Sequence, residues 1–66
     1  MMNTGVIKFF IESKGYGFIT DDESGQDYFV HFSGLKDPVE QGDKVEFELA
    51  EGDKGFKAQE VKKLTD

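Results

Sequence analysis

The chain has 66 residues, a net charge of −6, eight lysines with no arginine, and no cysteine. That length holds one domain, residues 1–66, with a single small core and no substrate cleft between domains. The missing cysteine excludes disulfides, zinc–thiolate sites and thiol catalysis. With no signal-peptide pattern and no run long enough to span a membrane, a soluble cytoplasmic protein is expected.

Period-2 patterns dominate the chain from its start. Residues 5–11, Gly-Val-Ile-Lys-Phe-Phe-Ile, predict a first strand, and Glu12-Ser13-Lys14-Gly15 turns it into a second over about 15–21. Asp21 to Gln26 is a turn cluster that closes a hairpin onto a third strand at 27–32, so the first three strands form a meander. Ser33 to Gly42 holds the only proline, Pro38, and reads as a connecting loop. Lys44 to Leu49 alternates, with Val45, Phe47 and Leu49 on one face, and Glu51 to Gly55 turns into a fifth strand at 56–63. In that strand Ala58 and Val61 are three apart, which requires a bulge if both face inward. Five short strands in so few residues suggest an all-β fold closed into a small barrel, which removes exposed edges. Val6, Ile19, Val30, Val45, Phe47, Leu49 and Val61 are the core candidates.

The chemistry concentrates in two aromatic segments, Lys14-Gly15-Tyr16-Gly17-Phe18-Ile19 and Tyr28-Phe29-Val30-His31-Phe32. In an extended chain Lys14, Tyr16 and Phe18 share one face and Ile19 takes the other; Phe29 and His31 share a face in the same way. Gly15 and Gly17 leave the Tyr16 ring clear of bulky neighbours. A domain this small buries only about 60% of its unfolded surface. Seven Phe and two Tyr, added to the aliphatic core, are more rings than the interior needs. Surplus rings on a sheet face stack on nucleobases at about 1–3 kcal/mol each and with little regard to sequence. A negative chain is a poor match for phosphates, but its charge is unevenly placed: residues 1–20 sum to +1, 21–53 to −9 and 54–66 to +2. The lysines nearest the rings are Lys8, Lys14, Lys54 and Lys57.

Lys8-Phe9-Phe10, KGYGFI at 14–19 and YFVHFS at 28–33, on five strands, resemble a bacterial cold-shock protein, a single cold-shock domain, over about residues 4–63. The two aromatic segments match that family's RNP1 and RNP2 motifs in order and separation. The resemblance implies a five-stranded antiparallel OB-fold barrel that binds single-stranded RNA and DNA and serves as an RNA chaperone. It implies binding roles for Lys8 and Phe9 on the first strand and for Lys14, Tyr16 and Phe18 in RNP1. In RNP2 it implies them for Phe29, His31 and Phe32. It further implies that Asp27 accepts hydrogen bonds from base edges and that Lys54 supplies a basic contact in the last hairpin. The chain departs from the family with Phe9 in place of Trp, Ile11 of Asn, Tyr28 of Val and Phe56 of Pro, and with a shorter 33–42 loop that lacks an aromatic residue.

Other chemistry is poorly supported. His31 is the only histidine and supports neither a triad nor a metal site; it is read as a stacking or hydrogen-bonding ring, with a core histidine as the plainer alternative. Gly15-x-Gly17 precedes no helix, and the longer phosphate-loop pattern fails at Thr20. Asp21, Asp22, Glu23 and Asp27 lack cation-site spacing and read as a solvated turn. No enzymatic activity, cofactor, metal or small-molecule substrate is expected, and the protein is expected to be a monomer. The competing reading is a β-barrel adaptor that binds peptide through exposed rings, and what separates the two is lysines beside the rings, which phosphates require and a peptide groove does not.

Overall fold

The computed structural model describes residues 2–52 and 55–64. The strands are β1 (Asn3–Ile11), β2 (Tyr16–Asp21), β3 (Asp27–His31), β4 (Lys44–Gly52) and β5 (Gly55–Lys63), with one 3-10 turn at Phe32–Gly34. They close into a barrel in the order β1-β2-β3-β5-β4, with β4 returning to β1. β1, β2 and β3 are rich in β-branched and aromatic residues, which suit a pleated half-buried surface, while β4 and β5 confine theirs to Val45, Phe47, Phe56 and Val61. Four of the pairings are antiparallel, while β3 and β5 meet in parallel over Phe29↔Lys57 and Val30↔Ala58, so the barrel is not antiparallel throughout.

Ile7, Ile19, Val30, Val39, Val45, Phe47, Ala58 and Val61 are buried together in the barrel, and Phe10, Tyr28, Leu35 and Leu49 pack against them. Fully burying one such aliphatic or aromatic side chain contributes about 1.5–3 kcal/mol. Five of the seven core candidates are buried, and Leu49 is partly so. Val6 is the exception, because its neighbour Ile7 takes the inner place. The reason is a bulge in β1. Ile7 pairs with Ile19 but Phe9 pairs with Phe18, so Lys8 is an extra residue on that strand. Strict alternation backwards from an outward Phe9 puts Val6 inside; the bulge reverses the phase, places Gly5 and Ile7 inside and still leaves Phe9 outside with Phe10 against the core.

The bulge required in β5 is present. Glu46 pairs with Lys62 and Glu48 with Gln59, and Glu60 takes a positive φ of 55°, which lets both Ala58 and Val61 face inward. The 33–42 segment contributes a core residue that its loop-like composition concealed: Val39 is 5% exposed. This segment is joined to β5 by a Leu35↔Val61 bridge and by Lys36 N–H donating to the Val61 carbonyl at 2.7 Å.

Asp21 ends β2 and is buried, 4% exposed. Its carboxylate accepts from Asn3 Nδ2 at 2.9 Å and from the backbone N–H groups of Glu23 and Ser24 at 2.8 and 3.0 Å, so it ties β1 to the β2–β3 turn. These hydrogen bonds, that of Asn3 foremost, hold its pKa below the ordinary carboxylate value against the opposing effect of burial.

Candidate nucleic-acid interface

The outer surface of β1, β2 and β3 carries the rings. Cross-strand pairing sets Tyr16 opposite His31 and Phe18 opposite both Phe29 and Phe9. The centroids of Phe9 and Phe18 are 5.4 Å apart, those of Phe18 and Phe29 6.0 Å, and those of Tyr16 and Phe29 5.8 Å with the planes within 21°. Such spacings are those of mutually supporting aromatic pairs. Beyond them, where β3 ends, His31 and Phe32 form a second cluster at 4.5 Å. Phe29 is 38% and Phe32 59% exposed, so the array is open to solvent. His31 is exposed as well, which sets aside the core-histidine reading.

The glycines do something other than clear space around Tyr16. Gly17 lies on the inner face, where β1 crosses closely. A Cβ there would overlap the Phe9 carbonyl oxygen and come within 2.7 Å of Phe10 Cδ1. Gly15 has φ 74° in the β1–β2 turn, and a Cβ there would come within 2.7 Å of Phe32 Cδ1, so its bare Cα is what the Phe32 ring rests on.

The polar candidates fall into two groups. Lys8 and Asp27 bond each other, Lys8 Nζ to Asp27 Oδ2 at 2.8 Å, and Thr20 Oγ1 donates to Asp27 Oδ1 at 2.8 Å. The Lys8 bond and then the Thr20 bond hold the Asp27 pKa below the usual carboxylate value. Lys14 is exposed in the β1–β2 turn rather than on a strand, and it has no carboxylate partner within 4.0 Å among the described residues. Lys57 likewise stands unpaired among them, directly beside Phe29 through the parallel β3–β5 register. It belongs with the candidate residues. Its nearness to the rings was visible in the sequence, but its register against Phe29 depends on a pairing between distant strands. Lys54 lies outside the described residues.

Two departures in the sequence resolve. Tyr28 points inward with its ring 6.3 Å from Phe47, and its hydroxyl donates to Gln26 Oε1 at 2.9 Å at the barrel rim. Phe56 does not pack inward and is 56% exposed, one residue from Lys57 but on the opposite side of the strand by alternation. Among the described residues no His/Cys/Asp/Glu cluster fits a metal ion, and no helix is long and apolar enough to cross a membrane.

A closed five-stranded barrel with aromatic rings displayed on the outer face of its first three strands is a small OB-type barrel carrying an open aromatic platform. The chain matches the model of the "Cold-shock" DNA-binding domain over residues 3–64, and it belongs to that family. It is 43% identical over 67 aligned positions to the cold shock-like protein CspA of Stigmatella aurantiaca, covering 96% of this chain and 98% of that one. It is 45% identical to the cold shock-like protein CspLB of Listeria monocytogenes, with 96% and 100% covered. Among solved structures, Drosophila Unr CSD456 superimposes with a TM-score of 0.81 at 25% identity over 98% of this chain, which spans 27% of the length of that one. The OB-type barrel and membership of a nucleic-acid-binding family thus agree with the resemblance carried by the two aromatic segments.

Proposed function

We propose that this protein binds single-stranded RNA and DNA by stacking successive bases on Phe9, Phe18, Phe29, Tyr16, His31 and Phe32, and that it acts as an RNA chaperone that keeps transcripts unpaired. The observation that carries the reading is the open ring array with Lys14 and Lys57 beside it and, among the described residues, no carboxylate holding either. Bases offer their faces only when unpaired, so a protein that binds those faces favours the open form of a hairpin by mass action. Lys8, Asp27 and Thr20 at one end of the array offer both donors and acceptors to a base edge, and Lys54 adds a basic contact in the last hairpin. The same reading has the protein act in the cytoplasm as a monomer, with no cofactor and no catalysis.

The test is a titration of fluorescent oligo-dT and oligo-U and of a matched duplex, together with a fluorophore–quencher RNA hairpin whose opening is followed directly. Micromolar or tighter binding of the single strands, weak duplex binding and protein-dependent opening of the hairpin are expected. Single-strand binding without hairpin opening would remove the chaperone activity from the proposal. Equal binding of strand and duplex would remove the stacking mechanism, and no binding of either would turn attention to a peptide ligand for the rings.

A further inference from the structure

The corner where β3 ends assigns a different task to each nitrogen of the His31 ring. His31 leaves the strand with φ −102° and ψ 152° and stands as the N-cap of the 3-10 turn Phe32–Gly34. The Ser33 backbone N–H donates to His31 Nδ1 at 3.2 Å, and Ser33 Oγ lies 2.9 Å from the same nitrogen. A hydroxyl can serve in either role, but a backbone amide only donates. Nδ1 must therefore offer its lone pair, and the proton of the neutral ring sits on Nε2.

That cap is coupled to Phe32, the first residue of the turn. The Phe32 ring lies 4.5 Å from the imidazole; its N–H donates to the Gly15 carbonyl at 2.8 Å, and its carbonyl accepts from Leu35 N–H at 3.1 Å. With 59% of the residue exposed, side-chain packing holds it only weakly. The backbone bonds of the turn, and the cap that closes it, set where the ring stands.

We propose that His31 works as a two-ended positioning residue: Nδ1 fixes the turn that carries Phe32, and Nε2–H is left as a hydrogen-bond donor to an acceptor oxygen of the bound strand. The second half rests on the single-strand reading above, whereas the first is a property of the free protein. The acceptor chemistry is shared by a phosphate oxygen and a base carbonyl.

The test begins with long-range 1H–15N spectra of the free protein at pH 7.5. A protonated Nε2 and an unprotonated Nδ1 are expected, and a proton on Nδ1 overturns the assignment. His31→Asn and His31→Gln are then made, each alone and with Phe32→Ala, and titrated with oligo-dT. Asn sets an acceptor at the reach of Nδ1 and restores the cap without an outward donor; Gln places a donor near the Nε2 position without the cap. Removing Phe32 should weaken binding roughly tenfold in wild type and in His31→Asn, and less than about threefold in His31→Gln, where the ring is already loosened. Equal losses in all three backgrounds would sink the positioning role. With Phe32 removed from both, His31→Gln should bind more tightly than His31→Asn, and equality would end the donor role. Repeating that last comparison with stereochemically pure Rp and Sp methylphosphonate linkages identifies the acceptor, since the difference disappears in one of the two series if it is a non-bridging phosphate oxygen and persists in both if it is a base carbonyl. Should wild type fail to bind any strand, the single-strand reading falls while the nitrogen spectra still decide the cap.

Discussion

The two sides of this barrel pair their lysines to different extents. On the side of β4, β5 and the 33–42 segment, three lysines sit against carboxylates, Lys36 with Glu60 at 2.7 Å, Lys63 with Asp43 at 3.5 Å and Lys44 with Asp22 at 3.9 Å, and Lys62 has no such partner among the described residues. On the ring side Lys8 is held by Asp27 at 2.8 Å, but Lys14 and Lys57 have no such partner among the described residues. Net charge is a sum over a surface, while a bound strand meets only one face of it and the field there is set by nearby groups within about a Debye length of 8–10 Å. A chain at −6 can therefore present a face suited to phosphates, provided that its carboxylates are turned elsewhere.

The strongest way to break the contrast is to break the ring side mechanically. Gly17→Ala puts a methyl group into the Phe9 carbonyl and the Phe10 ring, so β1 and β2 must separate at the point that supports Phe9 and Phe18. A loss of about 3 kcal/mol in chemical denaturation is expected, as for overpacking against backbone. A loss below about 1 kcal/mol would show that the seam between the two strands yields easily. Phe18→Ala should cost on the order of 1–3 kcal/mol in oligo-dT binding, because its ring touches both Phe9 and Phe29 and its removal divides the array. Unchanged binding would move the platform off this face.

These two residues also show how far the sequence was legible. The KGYGFI and YFVHFS segments marked the ring face, because alternation over a few residues needs only the local pleat. Phe9 came out on the correct side while Val6 did not, because the Lys8 bulge between them is set by how β1 fits two neighbours, β2 and β4. Val39 was concealed for a related reason. Its burial follows from the 33–42 segment folding back to Val61, a contact between residues far apart in the chain. Lys57 likewise depends on the closing β3–β5 contact.

The end of β2 offers a further test through Asp21. Its folded pKa is depressed, so the stability it confers is complete above about pH 4, the ordinary unfolded carboxylate value, and is lost as pH falls through the lower folded value. Asp21→Asn should cost about 1.5 kcal/mol at pH 7. The gap from wild type should close in urea denaturation series below pH 4; a gap that stays constant across that range would mean that the charge is not what the turn needs.

Moving one charge between the two groups of lysines gives a finer test. With Lys8 held by Asp27, only Lys14 and Lys57 among the described lysines of the ring face are free for phosphates. At about 0.7 per neutralised phosphate on a single strand, log K should fall with log salt at a slope near about −1.4. Asp27→Asn releases Lys8, and the slope should steepen by roughly 0.7. A slope of about −5 in wild type would mean that lysines across the whole surface take part and that the contrast between the two sides is wrong.

The smallest effect comes from Glu60, where the far side carries a strain of its own. A non-glycine residue at φ 55° is held in a left-handed conformation that costs L-residues about 1–2 kcal/mol and that Asn tolerates better. Glu60 also holds Lys36, whose pKa is raised by the hydrogen bond it donates to that carboxylate, but both side chains are exposed, and exposed pairs contribute little. Glu60→Asn should therefore stabilise the fold by roughly 0.5 kcal/mol, the backbone relief outweighing the lost pair. Glu60→Gln is the control, since it keeps the strained backbone and removes only the charge; it should be neutral or slightly destabilising in the same melts. If Gln stabilises as much as Asn does, the carboxylate's repulsion from Glu46 and Glu48 across the shared groove is the real burden at this position, and the bulge costs nothing that a side chain can relieve.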